Sequence, residues 1–525
     1  MRKLYTILCV LALTGCSGFL EEYSQDKAYV KSWEDLDELM LGNAYFNPVY
    51  INYGWWDQGV TGDLYYPWIH VLADELTQVM NGGDFTNLGS APSVATFGYH
   101  TWQLRVDENH DAQRRWDDGA DFRHLYSHIN ACNMILHEIT PYEAAAMEET
   151  DLQNIRRIKG ECHFLRAANY FMLANFYGKP YEAATASQDP AVPLKLSHYV
   201  EDLDYRRNSV AEVYGQILED MREAENLLKD VQRKSQWRAD INSVRLLMSR
   251  VYLYMCDYAN AQKYAALVVE NGPRLENLNY FNGESFLHPE LSELIFSMGS
   301  SSIFGSVLTE NTYYRDGHYR ISDELYGAYN PLDGHDLRLR HYVIRQEDAY
   351  PGSALQYKKL KGSTHSTPEM SDIFIMRTSE AYLNLAEAAA CNDDEATART
   401  ALKTLRENRI EAGFYNAAEL DALNGEELVK FIRDERQREL CLEGHRWFDL
   451  RRYRVAVRYP QEVELKHRFA ITSDEYPDYS IIWRREYTLP NDDPAWVLPM
   501  PREEIEKNLN MFDNPRNERT YISIQ

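Results

Sequence analysis

Two segments of the sequence combine aromatic rings with hydrogen-bonding side chains, outside any regular apolar pattern. Flat rings pack against the apolar C–H faces of sugars, while carboxylates, amides and hydroxyls hold the surrounding hydroxyl groups. The residues of the first segment predicted to contact a ligand are Trp55, Trp56, Tyr65, Tyr66, Trp68, Asp74 and Trp102, with Asp57, Asn81 and Asp84 nearby in sequence. Those of the second segment are Tyr313, Tyr314, Arg315 and Tyr319, with His318 beside them. These residue types predict binding by stacking and hydrogen bonds.

Each of these rings also has a structural alternative, because a tryptophan in a long loop more often packs against the scaffold than faces solvent. The neighbouring pairs Trp55–Trp56 and Tyr313–Tyr314 are more informative. Adjacent side chains of an extended chain point in opposite directions, so one ring of each pair is expected to face solvent.

Catalytic motifs do not stand out in the sequence. A glycosidase needs two carboxylates about 5–10 Å apart across a sugar cleft, and no local motif marks such a pair. The sequence contains no G-x-S-x-G, H-E-x-x-H or P-loop pattern. The acidic run from Asp107 to Asp111 suits either a cation such as calcium or a solvated loop, and the solvated loop is favoured. We predict a protein that is not an enzyme and has no cofactor or metal.

The elements that position these residues are mostly helical. Apolar residues spaced by three or four predict a helix from Ile155 to Phe176, ended by Gly178 and Pro180. Residues 242–273 predict a helix–turn–helix, and residues 375–410 predict a second unit of similar length. Their layout resembles tetratricopeptide (TPR) pairs, whose period is about 34 residues, although the full consensus is absent. The predicted fold class is mostly α, with degenerate TPR-like helix pairs forming an α–α superhelix.

Two loop-rich regions interrupt the helices, at about residues 49–118 and 274–372. Only Glu293 to Met298 in the second region reads clearly as a strand, so we expect few short strands there. A helix is predicted from Trp116 to Leu136, which places Trp116 and Tyr126 in the core. Long irregular segments within a compact protein usually carry function, so the ligand is expected at these two regions.

The first residues indicate export. Arg2 and Lys3 precede an apolar run from Leu4 to Leu13 that is too short to span a bilayer, which is typical of a secretory signal peptide. The following Leu-Thr-Gly-Cys resembles a lipobox, which predicts lipid on Cys16; the alternative is an ordinary signal peptide with a coincidental cysteine. We predict a signal peptide at 1–15, a flexible tether at 16–30 and a single domain at 31–525.

Composition excludes some partners. The 525-residue chain has a formal net charge of −26, which argues against nucleic acid and against a polybasic membrane patch. Contact with the membrane is therefore predicted through the lipid anchor only. Beyond Cys9 and Cys16, the cysteines are widely spaced and odd in number, which favours buried free thiols over disulfides or zinc. These are Cys132, Cys162, Cys256, Cys391 and Cys441.

Four motifs, in order along the chain, resemble the SusD/RagB family of outer-membrane nutrient-binding lipoproteins. They are Phe164-Leu165-Arg166-Ala167 with Tyr177-Gly178-Lys179-Pro180; Arg377 to Glu387; Glu435 to Arg452; and Leu498-Pro499-Met500-Pro501 with Asn514-Pro515. The proline after Tyr177-Gly178 falls one residue earlier than in the family pattern. Arg377, Glu380, Glu387, Glu435, Glu439, Arg436 and Arg446, with His445 and Trp447, are interpreted as scaffold joined by interior ion pairs.

This resemblance implies a TPR-like scaffold with a loop-rich insert packed against it. It also implies a role in polysaccharide utilisation by Bacteroidetes: a carbohydrate-binding lipoprotein, anchored in the outer membrane and facing the cell exterior, passes its glycan to a SusC-like TonB-dependent transporter. Two alternatives stay open. The first keeps the architecture but takes peptides or another nutrient, and the second is a surface glycosidase.

Overall fold

A computed structural model of the chain describes residues 30–47, 50–53, 58–61, 63–79, 92–199, 201, 203–299, 303–308, 318–346, 354–361, 370–472 and 480–524. The predicted signal peptide, Cys16 and nearly all of the predicted tether lie outside the described residues. So do five of the predicted ligand contacts: Trp55, Trp56, Tyr313, Tyr314 and Arg315.

Helices dominate the structure, at 47% of the chain against 11% strand. In chain order they are α1 Trp33–Asn43, α2 Pro92–Ala95, α3 Phe97–His100, α4 Ala120–Glu138, α5 Thr140–Ala145, α6 Glu149–Tyr177, α7 Val210–Leu228, α8 Ile241–Tyr254, α9 Tyr258–Asn271, α10 Ile303–Ser306, α11 Asp323–Ala328, α12 Arg338–His341, α13 Thr378–Cys391, α14 Glu395–Glu407, α15 Ala418–Asp421, α16 Gly425–Glu439, α17 Arg446–Arg454 and α18 Arg502–Lys507.

The scaffold consists of consecutive helices that pack in pairs. Helix α6 packs on α7, α8 on α9, and α13 on α14, while α9 also packs on α13 and so joins two pairs. Local sequence fixes where the helices begin: the Ser209 hydroxyl accepts the N–H of Glu212, whose carboxylate accepts the N–H of Ser209, which forms a capping box at α7. The prediction of a mostly α fold with TPR-like pairs is confirmed.

Most predicted helices match the structure, with two differences. Residues 375–377 form a strand rather than the first turn of α13, because Ile375, Met376 and Arg377 are all buried and pair with another strand. The helix predicted from Trp116 begins instead at Ala120 and ends at Glu138.

The strands are short and form five small antiparallel sheets among the described residues. Strand β9 pairs with β10 and β10 with β11, while β1 pairs with β2, β3 with β5, β4 with β8, and β6 with β7. Their bounds are β1 Tyr50–Tyr53, β2 Gln58–Thr61, β3 Leu76–Gln78, β4 Leu294–Ser297, β5 Tyr319–Ile321, β6 Val343–Gln346, β7 Ala354–Tyr357, β8 Ile375–Arg377, β9 Leu465–Thr472, β10 Ile481–Leu489 and β11 Tyr521–Ile524.

A cluster of buried ion pairs joins the family motifs in the interior. The Arg377 guanidinium lies 2.7 Å from Glu443 and 2.9 Å from Glu439, and it also contacts Glu293. Arg409 bridges two of these three acids, at 2.8 Å from Glu293 and 2.9 Å from Glu439. Burial opposes the charged form of Glu439, but Arg409 and Arg377 hold the pKa of this carboxyl below its usual value. Removing one partner would leave an uncompensated interior charge.

A second set of interior pairs connects α13, α16 and α17. Arg436 lies 2.7 Å from Asp449, and Glu387 accepts from both Arg452, at 2.6 Å, and Arg433, at 3.1 Å. All five side chains are almost fully buried. The interpretation of these motifs as scaffold held by ion pairs agrees with this arrangement.

The end of α6 is closed by side chains from distant parts of the chain. The Gly178 carbonyl accepts from Arg451 at 2.5 Å, and the Tyr177 carbonyl accepts from Arg207 and from Asn514, each at 2.8 Å. These donors satisfy carbonyls that have no partner within the helix. The motif around Tyr177-Gly178, the α17 motif and the Asn514 motif therefore meet at one point.

The cysteine prediction is confirmed for the described residues, where the five thiols are free and four of them are buried; Cys256 is half-buried. Across the same described residues, none of the helices combines the length and apolar character that crossing a bilayer requires.

Candidate functional site

Five of the aromatic rings predicted to contact a ligand are buried in the core. The expectation that these rings face a ligand is wrong. The buried rings are Tyr65, Tyr66, Trp68, Trp102 and Tyr319. Each is at most 3% exposed. The structural alternative, packing against the scaffold, describes all five.

Polar partners within the protein explain why these amphipathic rings are buried. The Trp68 indole N–H donates to Asp121 at 2.7 Å, and the Trp102 indole N–H donates to the Leu72 carbonyl at 3.0 Å. The Tyr319 hydroxyl lies 2.9 Å from the Thr96 hydroxyl. A ring whose polar group already has an interior partner loses little by leaving water.

Tyr65 follows the same rule, whereas the buried Tyr66 hydroxyl has no hydrogen-bond partner among the described residues. The Tyr65 hydroxyl accepts the N–H of Asn47 at 3.0 Å, and its ring stacks on Phe46 at a centroid distance of 4.0 Å. The Tyr66 backbone N–H donates to Asp121 at 2.6 Å. These contacts fix the loop that leads into β3.

Among the predicted ligand residues that the structure describes, Asp74 borders open space. Its carboxylate, 27% exposed, makes a two-point ion pair with Arg446, at 2.8 and 2.7 Å. Burial opposes its ionisation, but the Arg446 charge and hydrogen bonds keep the pKa of Asp74 below its usual value. Arg446 therefore neutralises a loop carboxylate, and not the carboxylates of the repeat layer for which it was predicted.

The backbone around Asp74 is fixed on several sides. The Ser322 hydroxyl donates to the Asp74 carbonyl at 2.6 Å, and the Ser322 N–H donates to the Glu75 carbonyl at 2.9 Å. The buried Glu75 carboxylate accepts the N–H of Leu442 at 3.0 Å. Burial raises the pKa of Glu75 to about 8 despite this N–H. Asp74 and Glu75, which directly precede β3, thus attach this part of the chain to residues 442–446 of the scaffold.

A cleft of about 680 Å³ lies between the β3–β5 sheet and strands β9 and β10. The Gln78 side chain joins the two sheets, since its carbonyl accepts the N–H of Ala470 at 2.7 Å and its amide donates to the Ala470 carbonyl at 3.2 Å. The cleft is lined by Asp74, Leu76, Thr77, Gln78, Arg320, Ser322, Asp323, Glu324, Glu464, Leu465, Lys466, His467, Arg468 and Glu486.

Side chains of both charges line this cleft, and most of them are paired. Arg468 lies 3.0 Å from Glu486, Lys466 lies 2.9 Å from Glu464, and Arg320 lies 2.9 Å from Asp323. The lining offers both hydrogen-bond donors and acceptors, and its five carboxylates outnumber its three cationic side chains. Such a lining suits a ligand that has many hydroxyl groups and no negative charge.

Three of the segments outside the described residues adjoin the ends of strands that border this cleft. The Val79 N–H donates to the His318 carbonyl at 2.9 Å, so residues 80–91 and 309–317 connect to adjacent positions. Residues 473–479 follow β9, two residues beyond Ala470. Tyr313, Tyr314 and Arg315 belong to one of these segments, and their role as ligand contacts stays a prediction, as does that of Trp55 and Trp56.

The acidic run at 107–111 is not a solvated loop. Asp107 is fully buried and lies 3.2 Å from Arg114 and 3.1 Å from Arg502, while Glu108 lies 2.8 Å from Arg502. These arginines neutralise the carboxylates, so the segment is part of the packed structure. The described part of the chain contains no cluster of three or more His, Cys, Asp or Glu side chains arranged to hold a metal ion.

The sequence reasoning missed the strand residues that form the cleft walls. Residues 464–469 alternate between exposed and buried side chains, with Lys466 and Arg468 outward and His467 and Phe469 inward. This period-two pattern in E-L-K-H-R-F was the available signal. Charged strand residues are common on protein surfaces, so this pattern does not by itself distinguish a sugar site in the way that aromatic side chains do.

Helix pairs on one side and a polar, strand-lined cleft on the other define a binding protein built on a TPR-like scaffold. Comparison with known proteins identifies its lineage. Residues 308–516 match the family model described as "SusD family", and residues 77–253 match the model described as "Starch-binding associating with outer membrane". The two matches together cover more than half of the chain, and the chain belongs to the SusD family.

Individual relatives agree in sequence or fold. SusD-like protein P2 of Formosa agariphila is 23% identical over 559 aligned positions, which cover 98% of each chain. A SusD superfamily protein of Bacteroides thetaiotaomicron is similar in structure, with a TM-score of 0.65, 19% identity and coverage of 92% of this chain and 100% of that chain. A structure described as a laminarin-binding SusD-like protein gives a TM-score of 0.59 at 17% identity, covering 93% of this chain and 100% of that one.

Proposed function

We propose that this protein binds an oligosaccharide or polysaccharide in the cleft between β3–β5 and β9–β10, and that it does so at the outer membrane. Membership of the SusD family supports the class of ligand. Two comparisons support it as well: one matching family model is described as starch-binding and associating with the outer membrane, and one protein of similar fold is described as laminarin-binding. The observation that carries the proposal is the polar cleft of about 680 Å³, which is bordered by β3 and β5, next to the point where residues 309–317 join the described chain.

The physical character of the cleft favours a neutral glycan. Its walls are strands held by the scaffold through Asp74 and Arg446, so little ordering is required when a ligand binds. Paired charges such as Arg468–Glu486 present donors and acceptors to hydroxyl groups, and the excess of carboxylates in the lining disfavours an anionic ligand. Aromatic stacking is proposed to come from Trp55, Trp56, Tyr313 and Tyr314.

The finer elements of the proposal concern location and delivery. Lipid on Cys16 would hold the chain at the cell surface, where bound glycan is handed to a SusC-like TonB-dependent transporter. The order of the family motifs supports this role, because it is the role that the SusD/RagB resemblance implies.

We propose binding without bond cleavage. A glycosidase requires one carboxyl that is protonated near neutral pH beside another that is ionised. In the cleft, Asp74 is held ionised by Arg446, and Glu464 and Glu486 are paired with cations. Glu75 has a raised pKa, but its carboxylate is buried against Leu442 instead of lining the cleft.

Blocking the cleft tests the proposal directly. Thr77→Trp places a large ring on the β3 wall, and Thr400→Trp places the same ring on the exposed surface of α14 as a matched control. Calorimetry against laminarin and starch oligosaccharides, with a peptide mixture for comparison, should show binding that Thr77→Trp abolishes and Thr400→Trp leaves intact. Equal binding by both variants would place the ligand elsewhere, and binding of peptides alone would refute the glycan. Steady release of reducing ends would refute binding without cleavage.

A further inference from the structure

A second concavity, of about 270 Å³, is lined by residues between Ala328 and Arg438. It is framed by the turn at 330–336, the turn at 410–419 and the face of α16 that carries Phe431. The two concavities have no lining residue in common. We call this concavity the Phe414 pocket.

Phe414 gives the pocket an aromatic platform. Its side chain is 57% exposed, and one face of the ring stacks on His335 at a centroid distance of 3.5 Å and an interplanar angle of 13°. His335 is itself held by Glu411, whose carboxylate lies 3.0 Å from the imidazole Nδ1. An apolar ring that is fixed on one face and open to solvent loses little entropy when a ligand covers the free face.

Polar atoms at the pocket wall lack partners within the described structure. The hydroxyl of Tyr415 and the Nε of Arg406 are both shielded, and neither has a hydrogen-bond partner among the described residues. An unpaired polar atom of this kind is unfavourable, because it has lost its hydrogen bonds to water without replacing them. Asp333 and Asn416 also line the pocket and offer a carboxylate and an amide. These two exposed side chains can bond the hydroxyl groups of a ligand that covers the ring.

We propose that the Phe414 pocket is a second sugar-contact site, in which one monosaccharide unit of a polymer covers the Phe414 ring. The proposal rests on the glycan-binding function proposed above and adds a site to it. A concavity of this volume suits one small ligand unit better than a protein surface, which would bury far more area. Two separate contacts on one chain raise affinity for a long glycan through effective concentration, without strengthening binding of a short one.

Affinity electrophoresis in gels containing laminarin, amylopectin or xylan tests this inference. The variants are Phe414→Ala, Phe414→Trp to preserve a platform, Thr77→Trp to block the cleft, and Tyr199→Ala as a control ring that is 56% exposed. We expect Phe414→Ala to weaken retardation by the polymer about tenfold or more. Phe414→Trp and Tyr199→Ala should bind as the unmodified protein does, and melting temperatures should agree among all of them.

The outcomes separate this site from the cleft. Loss of polymer affinity in Phe414→Ala, with hexasaccharide binding retained, supports the second site. Wild-type retardation of Phe414→Ala, together with lost binding in Thr77→Trp, overturns the second site and leaves the proposed function standing. No retardation of the unmodified protein by any of these polymers overturns both.

Discussion

Arg446 and Asp74, which are separated by 372 positions in the chain, form a two-point ion pair with distances of 2.8 and 2.7 Å. Arg446 begins α17 within a family motif, while Asp74 lies at the edge of the cleft. The pair therefore connects the helical scaffold to the wall on which the ligand is proposed to bind.

Breaking this pair should destabilise the protein. Arg446→Ala leaves Asp74 without its cation in a mostly shielded position, so we expect the free energy of unfolding to fall by about 3 kcal/mol. Arg468→Ala removes one partner of an exposed pair and should cost less than about 1 kcal/mol. Urea denaturation measures both. Equal effects of the two substitutions would mean that the Asp74 pair has no structural role.

Stability should depend on pH through Glu75. Its pKa is about 8 in the folded protein against an ordinary value of 4.5, so the stabilisation is present below pH about 4.5 and is lost as pH rises through about 8. Glu75→Gln resembles the protonated form and should remove this dependence, which makes the variant more stable than the unmodified protein at pH 9. Denaturation at pH 5, 7 and 9 measures the effect. A parallel pH profile in both proteins would contradict the assignment to Glu75.

Aromatic residues in the core, and aromatic residues whose contact with the ligand remains a prediction, should respond differently to substitution by alanine. Trp68→Ala removes a core ring and should cost about 3–5 kcal/mol of stability. Trp55→Ala or Tyr313→Ala should leave the melting temperature nearly unchanged and weaken glycan binding about tenfold. Thermal melting and calorimetry on the same samples decide between the roles. Unfolding of Trp55→Ala would place that ring in the core as well.

Gly444 should be intolerant of a side chain. Its φ is +76°, and a Cβ would approach the Ile373 carbonyl oxygen to 3.1 Å. Gly444→Ala should therefore destabilise the protein by about 1 kcal/mol or more. Gly215→Ala, in α7 with no atom within 4 Å of the added Cβ, should instead be neutral or stabilise by up to about 1 kcal/mol. Melting temperatures that move in the same direction would contradict this reading of Gly444.

Much of the scaffold is predictable from the sequence because helix periodicity is a local property. The stripe that includes Ile158 and Phe176 defines α6, and Gly272-Pro273 marks the end of α9. The polar partners in the interior are not local. Trp68 looks like a ligand platform until the position of Asp121, 53 residues further along, is known.

The cleft walls were missed for the same reason. Strands β3 and β5 are three residues long and pair across more than two hundred positions. Such short strands carry little periodicity of their own, so their pairing depends on tertiary contacts that a single sequence does not reveal. Asp74 was predicted from its neighbours in sequence, and its position at the cleft follows from Ser322 and Arg446.

The hydrogen bonds at the C-terminal end of α6 have a consequence for the order in which the protein folds. The Tyr177 carbonyl accepts from Asn514, 337 positions later, so this bond forms only after almost the whole polypeptide is available. Contacts of such sequence separation slow folding, since a long stretch of chain must be closed before they form. The Tyr177 carbonyl therefore waits for its Asn514 donor until synthesis of the chain is nearly complete.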